Sequence, residues 1–277
     1  MTTLGEMMTR NVVVARSSES VESVRRLMVQ HRISRIVLVN ELSKPVGIIT
    51  DKDLLRQTLT EGSDEGLEEI IAATMMSKPL VRVPEETSVS SCAKRMLESA
   101  ISSVVVVRGD ALAGIVTKTD MCIFYALNRS ASDEVEKRMT RKPVTARASQ
   151  RIVQAARIMA ENNISRLPIV NNQLDGIVTL SDLTAINPAL SPAIVSAKGK
   201  ILSVKGKVVL PTDVHLITIG DIMTRNPITV LESAYLSDVA KLMISHHISG
   251  LPVLNVRNQL VGIVTKTDVT KAVAAMQ

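Results

Sequence analysis

The chain has 277 residues, 45% of them apolar by type, a formal net charge of +6 and an aromatic content of 1%. That length accommodates two domains of ordinary size, and no stretch approaches the roughly 18 uninterrupted apolar residues that a membrane span needs. Cys92 and Cys122 sit at no metal-ligand spacing, which argues against a disulfide framework or a zinc site, and Phe124, Tyr125 and Tyr235 leave almost nothing to stack nucleobases.

At the N-terminus Glu6 and Arg10 flank Met7 and Met8, so no apolar signal-peptide region is present and the chain is expected to be soluble and cytoplasmic. Val21, Val24 and Met28 then fall at i, i+3 and i+7, which predicts an amphipathic helix with one buried face. Ile33-Ser34, a short apolar strand at 36–39 and a second strand opening the run Gly-Ile-Ile-Thr-Asp-Lys-Asp at 47–53 follow it. After an acidic, glycine-containing loop at 61–66 and a short predicted helix at 67–73, the same series returns. Its members are Val89, Cys92 and Met96, then Ile101-Ser102, a strand at 104–107 and the glycine run at 114–120. Polar residues 128–134 form an expected hinge and lead into a helix before Met139. The third series has Ile152, Ala155 and Met159, then Ile164-Ser165, a strand at 167–170 and the run at 176–182. About thirty residues then intervene, more than a compact connection needs. They contain Pro188, Pro192 and Pro211, and two Lys-Gly-Lys turns that predict a small two-stranded ribbon. The fourth series closes the chain with Leu236, Val239 and Met243, then Ile248-Ser249, a strand at 251–254 and the run at 262–268.

Four series in register are an internal repeat of the form strand, helix, strand, strand, helix. Each unit is too small to bury a core alone, so pairing is the physical expectation, and the continuous apolar strands imply cover on both faces. Charge is unevenly spread: residues 1–138 hold 18 basic and 19 acidic side chains, net −1, whereas residues 139–277 hold 15 and 8, net +7. The basic half either meets a polyanion such as RNA or is a solvated surface. Lys198, Lys200, Lys205 and Lys207 are its densest segment and the candidate polyanion contacts, through phosphates rather than bases.

These residues resemble the CBS (cystathionine-beta-synthase) domain family. The resemblance covers nearly the whole chain, because each copy also opens with the family's Met-(Thr/Ser) element: Met8-Thr9, Met76-Ser77, Met139-Thr140 and Met223-Thr224. It implies an α+β fold of four CBS motifs, at 1–60, 68–128, 133–188 and 219–277, paired into two Bateman modules at 1–128 and 133–277, with a basic linker or ribbon at 189–218. It further implies a non-catalytic regulator that binds AMP, ADP or ATP in clefts between paired motifs and signals energy state to a protein partner. The layout is similar to the gamma subunit of AMP-activated kinases. Exposed helix faces in the family also mediate homodimers. The alternative is an RNA- or ribosome-associated factor docking through the basic half.

The chemistry of the glycine runs is intelligible from residue type. A carboxylate accepts hydrogen bonds from two ribose hydroxyls and a threonine adds a third contact. By resemblance Thr50 with Asp53, Thr117 with Asp120, Thr179 with Asp182 and Thr265 with Asp268 face ribose, while Gly47 and its equivalents let backbone approach a ligand. The same Thr and Asp types, just before a helix, are favoured N-caps, and sequence does not separate the two roles. Arg35 and Arg166 follow the Ile-Ser pairs of copies one and three and are the candidate phosphate contacts; Ser103 and Gly250 stand there in copies two and four. Val37 and Val105 depart from the family's proline, which is kept at Pro168 and Pro252. His31, His246 and His247 lack ligand-spaced partners, so no metal is expected, and no activated nucleophile or acid–base pair is recognisable.

Overall fold

The computed structural model describes residues 2–54, 67–128, 133–186, 202–204, 207–209 and 217–276. Each predicted apolar stripe lies on a helix and is buried. Val21, Val24 and Met28 belong to the helix Val21–His31, Val89, Cys92 and Met96 to Val89–Glu98, Ile152, Ala155 and Met159 to Ile152–Glu161, and Leu236, Val239 and Met243 to Leu236–Ser245. Ser20 and Ser88 start the first two by accepting the Ser23 and Ser91 N–H groups, two of the donors that a helix start leaves orphaned. The predicted strands are Arg35–Val39 with Pro45–Thr50, Ser103–Arg108 with Ala111–Thr117, Arg166–Val170 with Leu174–Thr179, and Gly250–Leu254 with Leu260–Thr265. Each pair is antiparallel, and each carries a register irregularity near its turn.

The Met-Thr elements do not sit with the copies they precede. Thr9 bridges Ile115 of the second repeat, and Ser77 bridges Ile48 of the first. Thr140–Arg141 adds to strand Leu260–Thr265 of the fourth repeat, and Thr224–Arg225 adds to Leu174–Thr179 of the third. Neighbouring copies thus trade their leading segments, which ties repeats one with two and three with four. The motif glycines serve this exchange. A Cβ at Gly176 would lie 2.8 Å from Met223 Sδ and 2.8 Å from the Thr224 carbonyl oxygen, and Gly114 meets Met8 and Thr9 in the same way. The expectation that Gly47, Gly114, Gly176 and Gly262 make room for a ligand is therefore corrected: in each, the space is taken by a methionine of the traded segment.

The predicted helix at 67–73 is also shifted. Residues 67–70 form a turn and the helix is Ala72–Met75, because the Leu67 and Ile70 carbonyls accept Glu22 and Val21 N–H and Ala72 N–H donates to Glu19. The ribbon consists of Leu202–Val204 paired with Lys207–Val209.

The cores show how the repeats assemble. Repeats one and three each have a cluster of their own, around Ile36, Leu38 and Ile49 and around Leu167, Ile169 and Val178. Repeats two and four share one continuous core, in which helices Val89–Glu98 and Lys118–Asn128 pack on Leu236–Ser245 and Lys266–Ala274. Both cysteines lie inside it, and burial pushes each thiol up to about 12, so they remain inert small hydrophobes. The two valines that replace proline, Val37 and Val105, pack with Ile115 in a small separate core of the first module. Repeats one and three approach through Lys52, whose Nζ donates to Asn163 Oδ1 at 3.4 Å, and across a cavity of about 280 Å³ lined by Met28, Ile33, Ser34, Asp51, Leu54 and Ser181 among others. No described helix is long and apolar enough to cross a membrane.

Candidate nucleotide clefts

All four Thr-x-x-Asp motifs take one geometry, set by the junction of a strand with a helix. Asp Oδ2 accepts both the N–H and the hydroxyl of its threonine: at 2.8 and 2.7 Å in the first repeat, 2.7 and 2.8 Å in the second, 2.7 and 2.7 Å in the third and 2.9 and 2.9 Å in the fourth. The capping role is therefore realised everywhere, and what is left for a ligand is the second oxygen. Among the described residues, Oδ1 of Asp53, Asp120 and Asp182 accepts no hydrogen bond from protein, and all three residues are partly open. Asp268 differs. It is 2% exposed and its Oδ1 accepts Lys271 Nζ at 3.0 Å, so both oxygens are engaged and the expectation that it faces ribose gives way to a cap.

The two arginines leave their own repeats. Arg35 stands opposite Thr50 in its sheet, yet its Nη1 donates to Ser102 Oγ of the second repeat at 3.1 Å. Burial pushes its pKa below the ordinary value, with the charges of Asp51 and Asp120 opposing that shift. Arg166 crosses in the same sense into the fourth repeat. A Cβ at Gly250 would meet Arg166 Cδ at 2.9 Å and Thr265 Cγ2 at 3.1 Å. Burial lowers the Arg166 pKa to about 10. Gly250 thus stands where a second arginine would collide with the first, and Ser103 is its counterpart in the second repeat. Their smallness was visible in sequence, but the crossing was not.

Two further cations escaped the sequence reading. Lys118, inside the second motif, has Nζ 3.0 Å from Thr267 Oγ1, and Lys266, inside the fourth, has Nζ 2.8 Å from Thr119 Oγ1. Burial lowers the Lys118 pKa to about 8, aided by repulsion from Lys52, Arg35 and Lys271 and opposed by Asp268. Lys266 is lowered chiefly by burial, then by Arg166 and Arg35, against Cys122 and Asp120. Asp51 is raised by burial, with Arg35 opposing. The region between the modules therefore gathers more positive than negative groups away from water, a disposition that favours an anion.

Lys198, Lys200 and Lys205 lie outside the described residues, and Lys207 is placed only as part of its strand. No group of three metal-ligating side chains occurs among the described residues.

A model of the CBS domain matches residues 4–59, 68–126, 132–187 and 219–275. The chain belongs to the CBS domain family. It is 23% identical over 277 residues to the uncharacterized protein MJ1225 of Methanocaldococcus jannaschii, covering 95% of both chains. The crystal structure of that protein, described as a candidate archaeal homolog of g-AMPK, matches at TM-score 0.83 with 20% identity over 98% of this chain and 99% of that one. An uncharacterized conserved protein from Pyrococcus horikoshii matches at TM-score 0.68 with 21% identity, over 98% of this chain and all of that one. The uncharacterized protein MK0525 of Methanopyrus kandleri is 33% identical over 119 residues, 43% of this chain, and this chain spans 60% of that relative's length. These likenesses establish the four-CBS fold.

Proposed function

We propose that this CBS protein is a non-catalytic regulator that binds an adenine nucleotide (AMP, ADP or ATP) once in each module and passes the nucleotide state to a protein partner. The observation that carries the reading is the crossing of Arg35 and Arg166 into their partner repeats, where each meets a Thr-x-x-Asp motif or its charge. A guanidinium fork pairs with two phosphate oxygens at once, and withdrawal from water strengthens that pairing. The Asp carboxylates with an oxygen to spare, Asp53, Asp120 and Asp182, are the ribose contacts in this reading. Regulation requires that the nucleotide prefer one arrangement of the repeats, since equal affinity for two states shifts neither.

Titration calorimetry of nucleotide-free protein with AMP, ADP and ATP tests this. Binding of at least one is expected, with Arg35→Ala and Arg166→Ala each removing one site and the remaining site retained. No heat from any of the three, or unchanged binding in both variants, would overturn the reading.

A second reading rests on the +7 balance of residues 139–277 and proposes docking on RNA or the ribosome. It predicts association that weakens steeply between about 50 and 200 mM salt. Replacing Lys198, Lys200, Lys205 and Lys207 with Ala would weaken it further while leaving nucleotide titrations unchanged.

A further inference from the structure

We propose that Lys118 with Thr267 and Lys266 with Thr119 form a reciprocal latch across the two modules, through which nucleotide bound in one module alters the affinity of the other. This inference rests on the nucleotide reading above and concerns the regulation of those same clefts.

The latch is built from residues inside the motifs themselves. Lys118 lies between Thr117 and Asp120, and Thr267 lies between Thr265 and Asp268, so one hydrogen bond of 3.0 Å connects the two motifs directly. The second bond, 2.8 Å from Lys266 to Thr119, repeats the connection in the opposite direction. Each acceptor threonine is tied in turn to the capping threonine of its motif: Thr119 N–H donates to Thr117 Oγ1 at 3.1 Å, and Thr267 N–H to Thr265 Oγ1 at 3.2 Å. Thr265 and Arg166 both border Gly250, and the charge of Asp120 acts on Arg35. These hydrogen bonds therefore join the surroundings of one arginine to those of the other.

Repeats one and three carry other residues at these positions. The positions equivalent to Lys118 and Lys266 are Asp51 and Leu180. The latch therefore belongs to the side of the molecule where two repeats share a core.

The chemistry makes the latch responsive. Lys118 lies within the charge influence of Lys52, Arg35, Lys271 and Asp268, and Lys266 within that of Arg166, Arg35, Asp120 and Cys122, a setting with a surplus of cations. A neutral threonine hydroxyl is a weak partner for an ammonium group in such a setting. A phosphate near Arg35 or Arg166 is a stronger one, because charge-assisted hydrogen bonds are about twice as strong as neutral ones. Filling one cleft therefore draws a lysine from its threonine and changes the contact on which the other motif rests. Coupling between sites is typically fivefold or more in affinity, and it is reciprocal.

The test is calorimetric titration with AMP of the full chain. The module-two constant is read in Arg35→Ala, where module one stays empty, and compared with the module-two constant in the wild type. A difference of at least about fivefold is expected. In the isosteric Thr119→Val/Thr267→Val background, which leaves both lysines in place, the difference should fall below about twofold, since the coupling term is then absent. Lys118→Met/Lys266→Met should behave in the same way and serves as the second background if the first does not fold. Arg166→Ala should show the same factor on module one. Independent sites in the wild type, or coupling that survives both latch variants, would overturn the latch while leaving the nucleotide reading intact. Absence of AMP binding to the wild type would overturn the latch, and absence of AMP, ADP and ATP binding alike would overturn both.

Discussion

At the scale of single residues, the functional arrangement depends on pairing large with small. Arg166 occupies space that only a residue without Cβ leaves open, and Gly250 supplies it. Gly250→Ala is expected to displace the guanidinium and weaken nucleotide binding to module two about tenfold, roughly 1.4 kcal/mol, with module one unaffected. Equal affinity in the variant would show that the arginine does not touch the ligand. Lys118 gives a second residue-scale prediction, through pH. Its folded value is about 8 against 10.5 for an ordinary lysine. Between those values the unfolded chain holds the proton and the folded chain has released it, so the stability contributed here rises with pH across that window. Below about 8 both states are protonated and the folded state bears the full cost of the buried charge. Lys118→Met should therefore flatten the rise in Tm between pH 8 and 10; an unaltered slope would place the ammonium in ordinary water. Asp268 departs from the other three motif carboxylates. Its residue type and spacing match the other three, but Lys271, one helical turn on, claims the oxygen a ribose would need.

At the scale of elements, the traded segments decide which repeat each piece stabilises. Met223 opens the fourth repeat in sequence but is 1% exposed in the core of the third. Met223→Ala should cost about 2–5 kcal/mol, as large-to-small core changes do. Hydrogen exchange should rise first in strand Leu174–Thr179, whereas loosening of Leu260–Thr265 instead would contradict the exchange. Helices and paired strands were legible in the sequence because their signals are local: a stripe such as Leu236, Val239 and Met243 states its helix and its buried face within one window. Trading was not legible, since Met8 and Gly114 are far apart in the chain and neither shows by its type that it meets the other. The glycines were read as ligand-facing for the same reason. The short helix before the second repeat was misplaced because its backbone groups answer to Val21, Glu22 and Glu19, contacts that no propensity encodes.

At the scale of the whole molecule, the four repeats join in unequal ways. One with two and three with four are tied by traded strands, two with four by a shared helical core, and among the described residues one meets three at Lys52 and Asn163 beside a cavity. Similar local patterns therefore yield three kinds of junction, because which repeats meet is decided by contacts between residues far apart in the chain. The side chains that distinguish them, Lys118 and Lys266 against Asp51 and Leu180, lie at a variable position of the motif. The central claim is that each module holds one adenine nucleotide by an arginine that crosses between its repeats. Counting bound AMP by native mass spectrometry tests it most directly: two per chain are expected in the wild type, one in Arg35→Ala or Arg166→Ala, and none in the double variant. Two bound nucleotides in the double variant, or none in the wild type, would contradict it.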